Sequence, residues 1–511
     1  MVNSRLVFTV DANPHNDKLR KLRITLKYID GWNENHEAAL IVTQSDGQGN
    51  VGTKMSFDYF RSQAKTTISE EFYIEGTIIS ENGNPNTAMN PRIQTGSMDR
   101  TMNNRTAYIL GEDGTAFAIQ TATEADNTFR QYSKVQILLK GAFVEKLEDP
   151  DRYILQKIDA SMVVSEEAGT PVQPVERKIG ELTDADMFTY VKLKDCELPI
   201  REGAFTPINE GYGYLYNAYR IGHYPLLVRD IYGDWTLMNI NLEVPYRRNG
   251  TAPPQGSGDI TGILVHDDYK AFDGSGKASV YQIRPLSRDG IGLEENFANG
   301  FSEILAEWTD WNPGNGNMEN LPSTGQGSIT HSSETALVGT QDYRFLGPIK
   351  SQGEGGTNDD KGQLSNGGFR HATWWDANLE KPYAWVVKFS TAAVTTDQLS
   401  MQFTTANYDR GAPRYWTVEW SEDGNENGTW EYISEYSVPD LPNWSNTLFT
   451  QLPGLKNINV KLPLEMLGKT DLYIRMRPTD NEAGDDYDYD GKPIAAGKNN
   501  AIGYLSIRYN K

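Results

Sequence analysis

Short stretches of alternating apolar and polar residues recur along nearly the whole chain, separated by turn-forming Gly, Asn, Asp and Pro, and a period of two is the signature of half-buried β-strands. In the first 46 residues this pattern predicts strands at 6–10, 22–26 and 39–44, with a polar turn at Asn13-Pro14. Three short strands bury too little to stand alone, so the segment reads as the end of a sandwich that begins earlier. From about 66 to 178 the predicted strands are 71–79, 107–110, 116–119, 135–141 and 153–155, with Gly111-Glu112-Asp113-Gly114 as a hairpin turn between the second and third. Strands of this number and spacing suit a small closed barrel of the OB type. A second pass follows at 190–193, 226–230, 235–238, 258–264 and 281–285, with Arg229-Asp230-Ile231-Tyr232-Gly233-Asp234-Trp235 in the slot of the first hairpin. Tandem barrels are the economical reading.

Beyond Glu294 the character changes, because nine of the eleven Trp fall there. Alternating strands at 384–389, 399–403, 415–421, 472–477 and 504–509, joined by long loops, argue a jelly-roll sandwich. The expected architecture is therefore all-β: a partial immunoglobulin-like sandwich over 1–46, OB-like domains over 47–178 and 179–292, and a C-terminal jelly-roll β-sandwich over 293–511.

Particular residues in these segments resemble known modules. The strand ending near Asn13, Arg23 before Ile24-Thr25-Leu26, and the closing Ile41-Val42-Thr43-Gln44 resemble the last half of a BACON domain. A strand with central Gly76, a long loop, the Gly-Glu-Asp-Gly hairpin and a strand ending in Lys140-Gly141 resemble the DUF5689 family of Bacteroidetes lipoproteins. The run Tyr415-Trp416-Thr417-Val418-Glu419-Trp420-Ser421-Glu422-Asp423-Gly424, a strand at Trp430 and Leu472-Tyr473-Ile474-Arg475-Met476-Arg477 resemble C-terminal jelly-roll adhesion or carbohydrate-binding modules. These resemblances imply a surface lipoprotein of the outer membrane that captures extracellular glycan, beside a transporter or surface enzyme. Its attachment to the membrane would be an N-terminal lipid anchor that this sequence does not contain.

Composition narrows the chemistry. With 48 basic and 69 acidic residues the net charge is −21, which disfavours a phosphate backbone as partner. The OB-like segments keep open an accessory of a secreted nuclease, with Tyr108, Phe117 and Tyr281 as stacking candidates and Arg229, Arg247, Arg248 and Arg284 as the local cations. A structural or adhesive surface role is the third alternative. The single Cys196 excludes an intramolecular disulfide and a thiolate metal cluster, and its acidic neighbours mark it as structural. The short basic stretch Lys18–Arg23 reads as the solvated face of a strand.

No catalytic signature is present: there is no nucleophile elbow, zinc-protease helix or phosphate loop, and the six His are scattered. Glu419 and Glu422 are the tempting carboxylate pair, but one lies on a strand and the other in the following turn, so they would not share a cleft. The chain is expected not to be an enzyme. Asp486, Asp488 and Asp490, ahead of Gly491, space carboxylates as a Ca²⁺ loop does, against the plainer reading of a solvated acidic loop. For a glycan the candidates are Trp308, Trp311, Arg370, His371, Trp374, Trp375 and Asp376, since sugar rings stack on aromatics while hydroxyls need fixed polar partners. Trp374 and Trp375 are adjacent and would point to opposite faces of a strand, so only one need be core.

Overall fold

The computed structural model describes residues 11, 13, 20–29, 35–44, 52–88, 101–198, 226–241, 243–247, 254, 256–267, 280–293, 301–309, 318–340, 368–396, 398–407, 411–438, 456–484 and 492–510. The chain divides into two compact units, one of Met1–Ala88, Arg100–Gln173 and Asp184–Tyr190, the other of Met89–Asp99, Pro174–Thr183 and Val191–Lys511.

In the first unit the alternation of the opening segment produces an antiparallel hairpin, β1 (Arg20–Ile29) against β2 (Asn35–Gln44), with Arg20 opposite Gln44. Within the basic stretch, residues 20–23 lie on β1, and Arg23 Nη1 donates to Asp126 Oδ1 at 2.8 Å. The predicted strand at 6–10 lies outside the described residues.

The rest of this unit is built on β3 (Phe72–Ile78), β4 (Thr106–Leu110), β5 (Ala116–Thr121), β6 (Lys134–Leu138), β7 (Phe143–Leu147) and β8 (Arg152–Ile158). β6 and β7 are two halves of one bent strand, turned at Gly141 with φ of 90°. The first half pairs with β3 and the second with β8, while β8 runs parallel to β5. The ring β3, β4, β5, β8, β7/β6 and back to β3 is a closed five-stranded barrel of the OB type. Ile74, Ile109, Phe117, Ile137, Val144 and Leu155 fill it. The β4–β5 turn is the Gly-Glu-Asp-Gly hairpin, where Gly111 N–H donates to the Thr115 carbonyl at 2.8 Å and Gly114 takes φ of 82°.

In the second unit β9 (Tyr190–Glu197, which enters this unit at Val191), β10 (Leu226–Asp230), β11 (Trp235–Met238), β12 (Ser257–Val265) and β13 (Gln282–Arg284) repeat that order. β13 is parallel to β11 and antiparallel to β12, and β12 returns to β9. The β10–β11 turn occupies the place of the first hairpin, with Asp230 Oδ1 accepting from the backbone N–H of Tyr232 and Asp234 at 3.0 and 3.1 Å. Cys196 is buried on β9, and burial, followed by four surrounding carboxylates, pushes its thiol well up.

The same unit continues into a two-sheet sandwich. One sheet carries β14 (Glu303–Trp308), β16 (Gly368–His371), β18 (Leu399–Asn407), β21 (Lys456–Lys461) and the long β23 (Asn500–Tyr509). β23 pairs with β14 and β16 along one edge and with β18 along the other. The facing sheet has the order β15 (Gly327–His331), β17 (Trp385–Phe389), β22 (Leu472–Pro478), β19 (Tyr415–Ser421) and β20 (Glu431–Ser437). On β17, Trp385, Val387 and Phe389 point inward while Val386 and Lys388 point out, as period two requires. The predicted strands at 384–389, 399–403, 415–421, 472–477 and 504–509 all correspond to strands of this sandwich.

Candidate functional site

The predicted anchors were placed largely inside. Trp308 and Trp374 are each 1% exposed and belong to the sandwich core, so neither offers a face to a sugar. Trp374 meets Trp385 at 5.2 Å and Trp416 at 5.0 Å, and its Nε1 donates to the His371 carbonyl at 3.0 Å. The apolar indole area and its one satisfied donor explain why a Trp set among polar neighbours is drawn inward. His371 is also buried, stacked on His331 at 3.5 Å, with Nδ1 accepting from the Thr373 N–H and Nε2 bonded to Thr335 Oγ1. Burial pushes its pKa down to about 4, and burial together with His371 holds His331 well below its ordinary value too.

Arg370 and Trp375 are half-buried. Asp376 serves its own turn, with Oδ1 accepting from the N–H of Asn378 and Leu379 at 2.9 and 3.0 Å and Oδ2 from Tyr383 Oη at 3.1 Å. Trp311, Asp486, Asp488 and Asp490 lie outside the described residues. Among the described residues no group of three or more His, Cys, Asp or Glu is arranged to hold a metal ion.

A recess does form elsewhere on the sandwich, on the outer side of the five-stranded sheet. Its volume is about 280 Å³ and its lining includes Lys381, Val386, Glu426, Trp430, Arg475 and Arg477. Register explains how these residues meet. Thr330 lies opposite Val386, Val386 opposite Arg475, Arg475 opposite Glu419 and Glu419 opposite Tyr432, so one row crosses all five strands. Directly paired side chains share a face about 5 Å apart. Trp430 enters from the β19–β20 connection, and its Nε1 donates to the Asn425 carbonyl at 2.8 Å.

The electrostatics of the recess centre on Glu419. Its Oε2 accepts from Arg475 Nε at 2.6 Å and Arg477 Nε at 3.0 Å, and its Oε1 accepts from Arg477 Nη2 at 2.9 Å. Burial would raise this carboxyl, but the guanidinium bonds outweigh it and hold Glu419 below its ordinary value. The Arg475 guanidinium lies 4.2 Å from the Trp430 ring centroid, a cation–π contact that fixes both planes. Lys381 is paired with Glu426 at 2.6 Å. Glu422 is bound instead to Lys469 at 2.6 Å, so the two glutamates have separate basic partners.

The sequence matches no family profile. No curated protein matches it. Solved structures similar to the chain include the CBM22-1 xylan-binding domain from Paenibacillus barcinonensis Xyn10C, at 12% identity over 40% of this chain and 94% of that one, with a TM-score of 0.22. The K3 cleaved adhesin domain of Lys-gingipain from Porphyromonas gingivalis is 14% identical over 40% of this chain and 99% of its own, with a TM-score of 0.21. SGBP-B from a complex xyloglucan utilization locus in Bacteroides uniformis is 10% identical over 64% of this chain and 96% of its own, with a TM-score of 0.19.

Two of the three stacking candidates of the barrels are placed as core. Tyr108 and Phe117 are 3% and 0% exposed, and Arg229 and Arg284 are both fully buried. Those four cannot line a groove for single strands; Tyr281 is half-buried, Arg248 lies outside the described residues, and nothing is described of the Arg247 side chain. A cleft of about 350 Å³ on the first barrel is lined by Glu75, Glu112 and Glu167 with Lys134 as its cation, a surface that repels phosphate. Trp430 was the residue missed. Its signal was position: a Trp two residues after the polar turn Asn425-Glu426-Asn427-Gly428, at the very start of a predicted strand, where a side chain sits at the rim and not in the core.

Proposed function

We propose that this chain is a non-catalytic binding protein of the cell surface that holds extracellular glycan in the recess across the outer face of the five-stranded sheet. The observation that carries the reading is Trp430 in the lining of the recess, with a guanidinium against its ring, and Tyr432 62% exposed at the end of the cross-sheet row that contains that arginine. A sugar ring needs an aromatic surface for its C–H face and fixed donors for its hydroxyls, and the recess supplies both. Glu419 is held ionised between arginines and, among the described residues, its carboxylate accepts from them alone, so it serves to fix donors and is ill suited to give up a proton. The surface location and a neighbouring transporter or enzyme rest on the resemblances of the N-terminal segments to surface-lipoprotein modules. Among the described residues no helix is long and apolar enough to cross a membrane.

Affinity electrophoresis against a polysaccharide panel tests the reading. The wild type is expected to be retarded by at least one polymer, and Trp430→Ala to lose about 2 kcal/mol of binding, as a stacking anchor does, with its melting temperature nearly unchanged. A wild type that no polymer retards would overturn it.

A further inference from the structure

The arginines of the recess are not equally committed. Arg477 uses Nε and Nη2 on Glu419 and Nη1 on the Pro478 carbonyl at 3.3 Å. Arg475 uses Nε alone, on Glu419, and its Nη1 and Nη2 have no protein acceptor among the described residues. The side chain retains 17% of its exposure and lines the recess. An Arg held through Nε presents its other edge as a planar pair of parallel donors, which matches two oxygens of an oxyanion. Trp430 on one face and Glu419 on the Nε edge fix that fork before any ligand arrives, which lowers the ordering cost of binding.

Charge points the same way. Three cations, Lys381, Arg475 and Arg477, meet two carboxylates, Glu419 and Glu426, at this recess. The local balance is positive in a chain of net charge −21. A polyanion has nothing to gain from the chain at large, so its capture needs such a local fork.

We infer that the glycan taken by this recess is acidic: the open Nη1/Nη2 edge of Arg475 receives an oxyanion carried on a sugar, the carboxylate of a uronic acid or a sulfate ester, while a ring of the same chain lies on Trp430. This inference rests on the reading of the recess as a glycan site and adds the ligand class. Neutral donors would serve a neutral sugar equally well, and a guanidinium left half-paired beside an aromatic is the costlier arrangement unless an anion completes it.

The test uses the whole chain in affinity electrophoresis and isothermal titration with polygalacturonate, alginate and glucuronoxylan, each beside its carboxyl-reduced form, and with carrageenan beside its desulfated form. Acidic polymers are expected to bind and their neutralised forms to bind roughly tenfold to hundredfold less. Affinity should fall as salt rises. Loss on carboxyl reduction assigns the uronate, and loss on desulfation assigns the sulfate. Arg475→Gln and Arg475→Lys should both lose the preference, since lysine keeps the charge and lacks the fork. Equal binding of an acidic polymer and its neutralised form overturns the inference and leaves the glycan reading standing. Binding of none overturns both. The polymer comparison is made on the wild type, so it stands even where an Arg475 variant folds poorly.

Discussion

At the scale of single residues, the sandwich separates two tryptophans that look alike in sequence. Trp374→Ala removes a fully buried indole from the contact of four aromatic neighbours and is expected to cost about 3–5 kcal/mol of stability, read as the denaturation midpoint. Trp430→Ala should leave that midpoint almost in place while reducing glycan retention. Reversal of the two phenotypes would mean that the recess is misassigned. The His331–His371 stack gives a second residue-scale expectation. Both imidazoles stay neutral in the fold, with His371 pushed down to about 4 by burial, against about 6.5 when unfolded. At pH 7 the pair is largely neutral in both states. As pH falls from about 6.5 toward 4 the unfolded chain takes up protons that the folded chain refuses, so stability falls, with a slope approaching about 1.4 kcal/mol per pH unit for each imidazole. Asp230 acts with the opposite sign, because burial and then Asp234 push its folded carboxyl up to about 6 and protonation there favours the fold. The comparison of wild type with His371→Gln removes that background. The variant should lose less stability between pH 6.5 and 4, and parallel curves would refute the account.

At the scale of elements, glycines decide where the barrels bend and close. A Cβ on Gly76 would sit 2.7 Å from the Leu110 carbonyl oxygen and 2.7 Å from Ile109 Cγ1, so β3 can approach β4 there only without a side chain. Gly114 has open space around it but takes φ of 82°. Gly76→Ala is therefore expected to cost about 2–3 kcal/mol through overpacking, and Gly114→Ala about 1–2 kcal/mol through backbone strain. Amide exchange of β3 and β4 would report the difference, and an equal, small effect of both would remove the steric argument. The sequence made the hairpin legible because Gly-Glu-Asp-Gly is local chemistry. It hid the bend between β6 and β7: Lys140-Gly141 reads as a strand end, and only closure of the ring shows that 143–147 is the same strand continued. The site was hidden for a related reason. Alternation on β17 and β22 told which residues alternate, and nothing local told that Arg475, Glu419 and Tyr432 fall into one row, which is a matter of register between strands distant in sequence. His371, read as a polar ligand contact, was drawn inward because Thr335 and the Thr373 amide satisfy both ring nitrogens there.

At the scale of the whole molecule, the second barrel and the sandwich share one compact unit, and a buried ion pair lies where they meet. Arg229 and Glu197 are 0% and 1% exposed, with Arg229 Nε donating to Glu197 Oε1 at 2.6 Å. From the sandwich side Phe301 lies 4.4 Å from the guanidinium, and Nη1 reaches Ser400 Oγ at 3.3 Å and Asn459 Oδ1 at 3.4 Å. Asn459 Nδ2 donates back to the Gly233 carbonyl in the barrel turn at 3.2 Å, and Lys461 pairs with Asp234 at 3.1 Å nearby. Removing one member of such a pair leaves an unpaired charge buried in the interface, at about 3–5 kcal/mol, whereas replacing both by apolar side chains is often close to neutral. Arg229→Met should therefore destabilise strongly and separate the melting of barrel and sandwich into two calorimetric transitions where the wild type shows them joined. The double variant Arg229→Met, Glu197→Leu should recover most of the loss. Recovery would identify the pair as a device of specificity between the two parts, since its removal as a whole costs little. A double variant as unstable as the single one would mean instead that the hydrogen bonds to Ser400 and Asn459 carry the junction, and their own substitution would then be the larger effect.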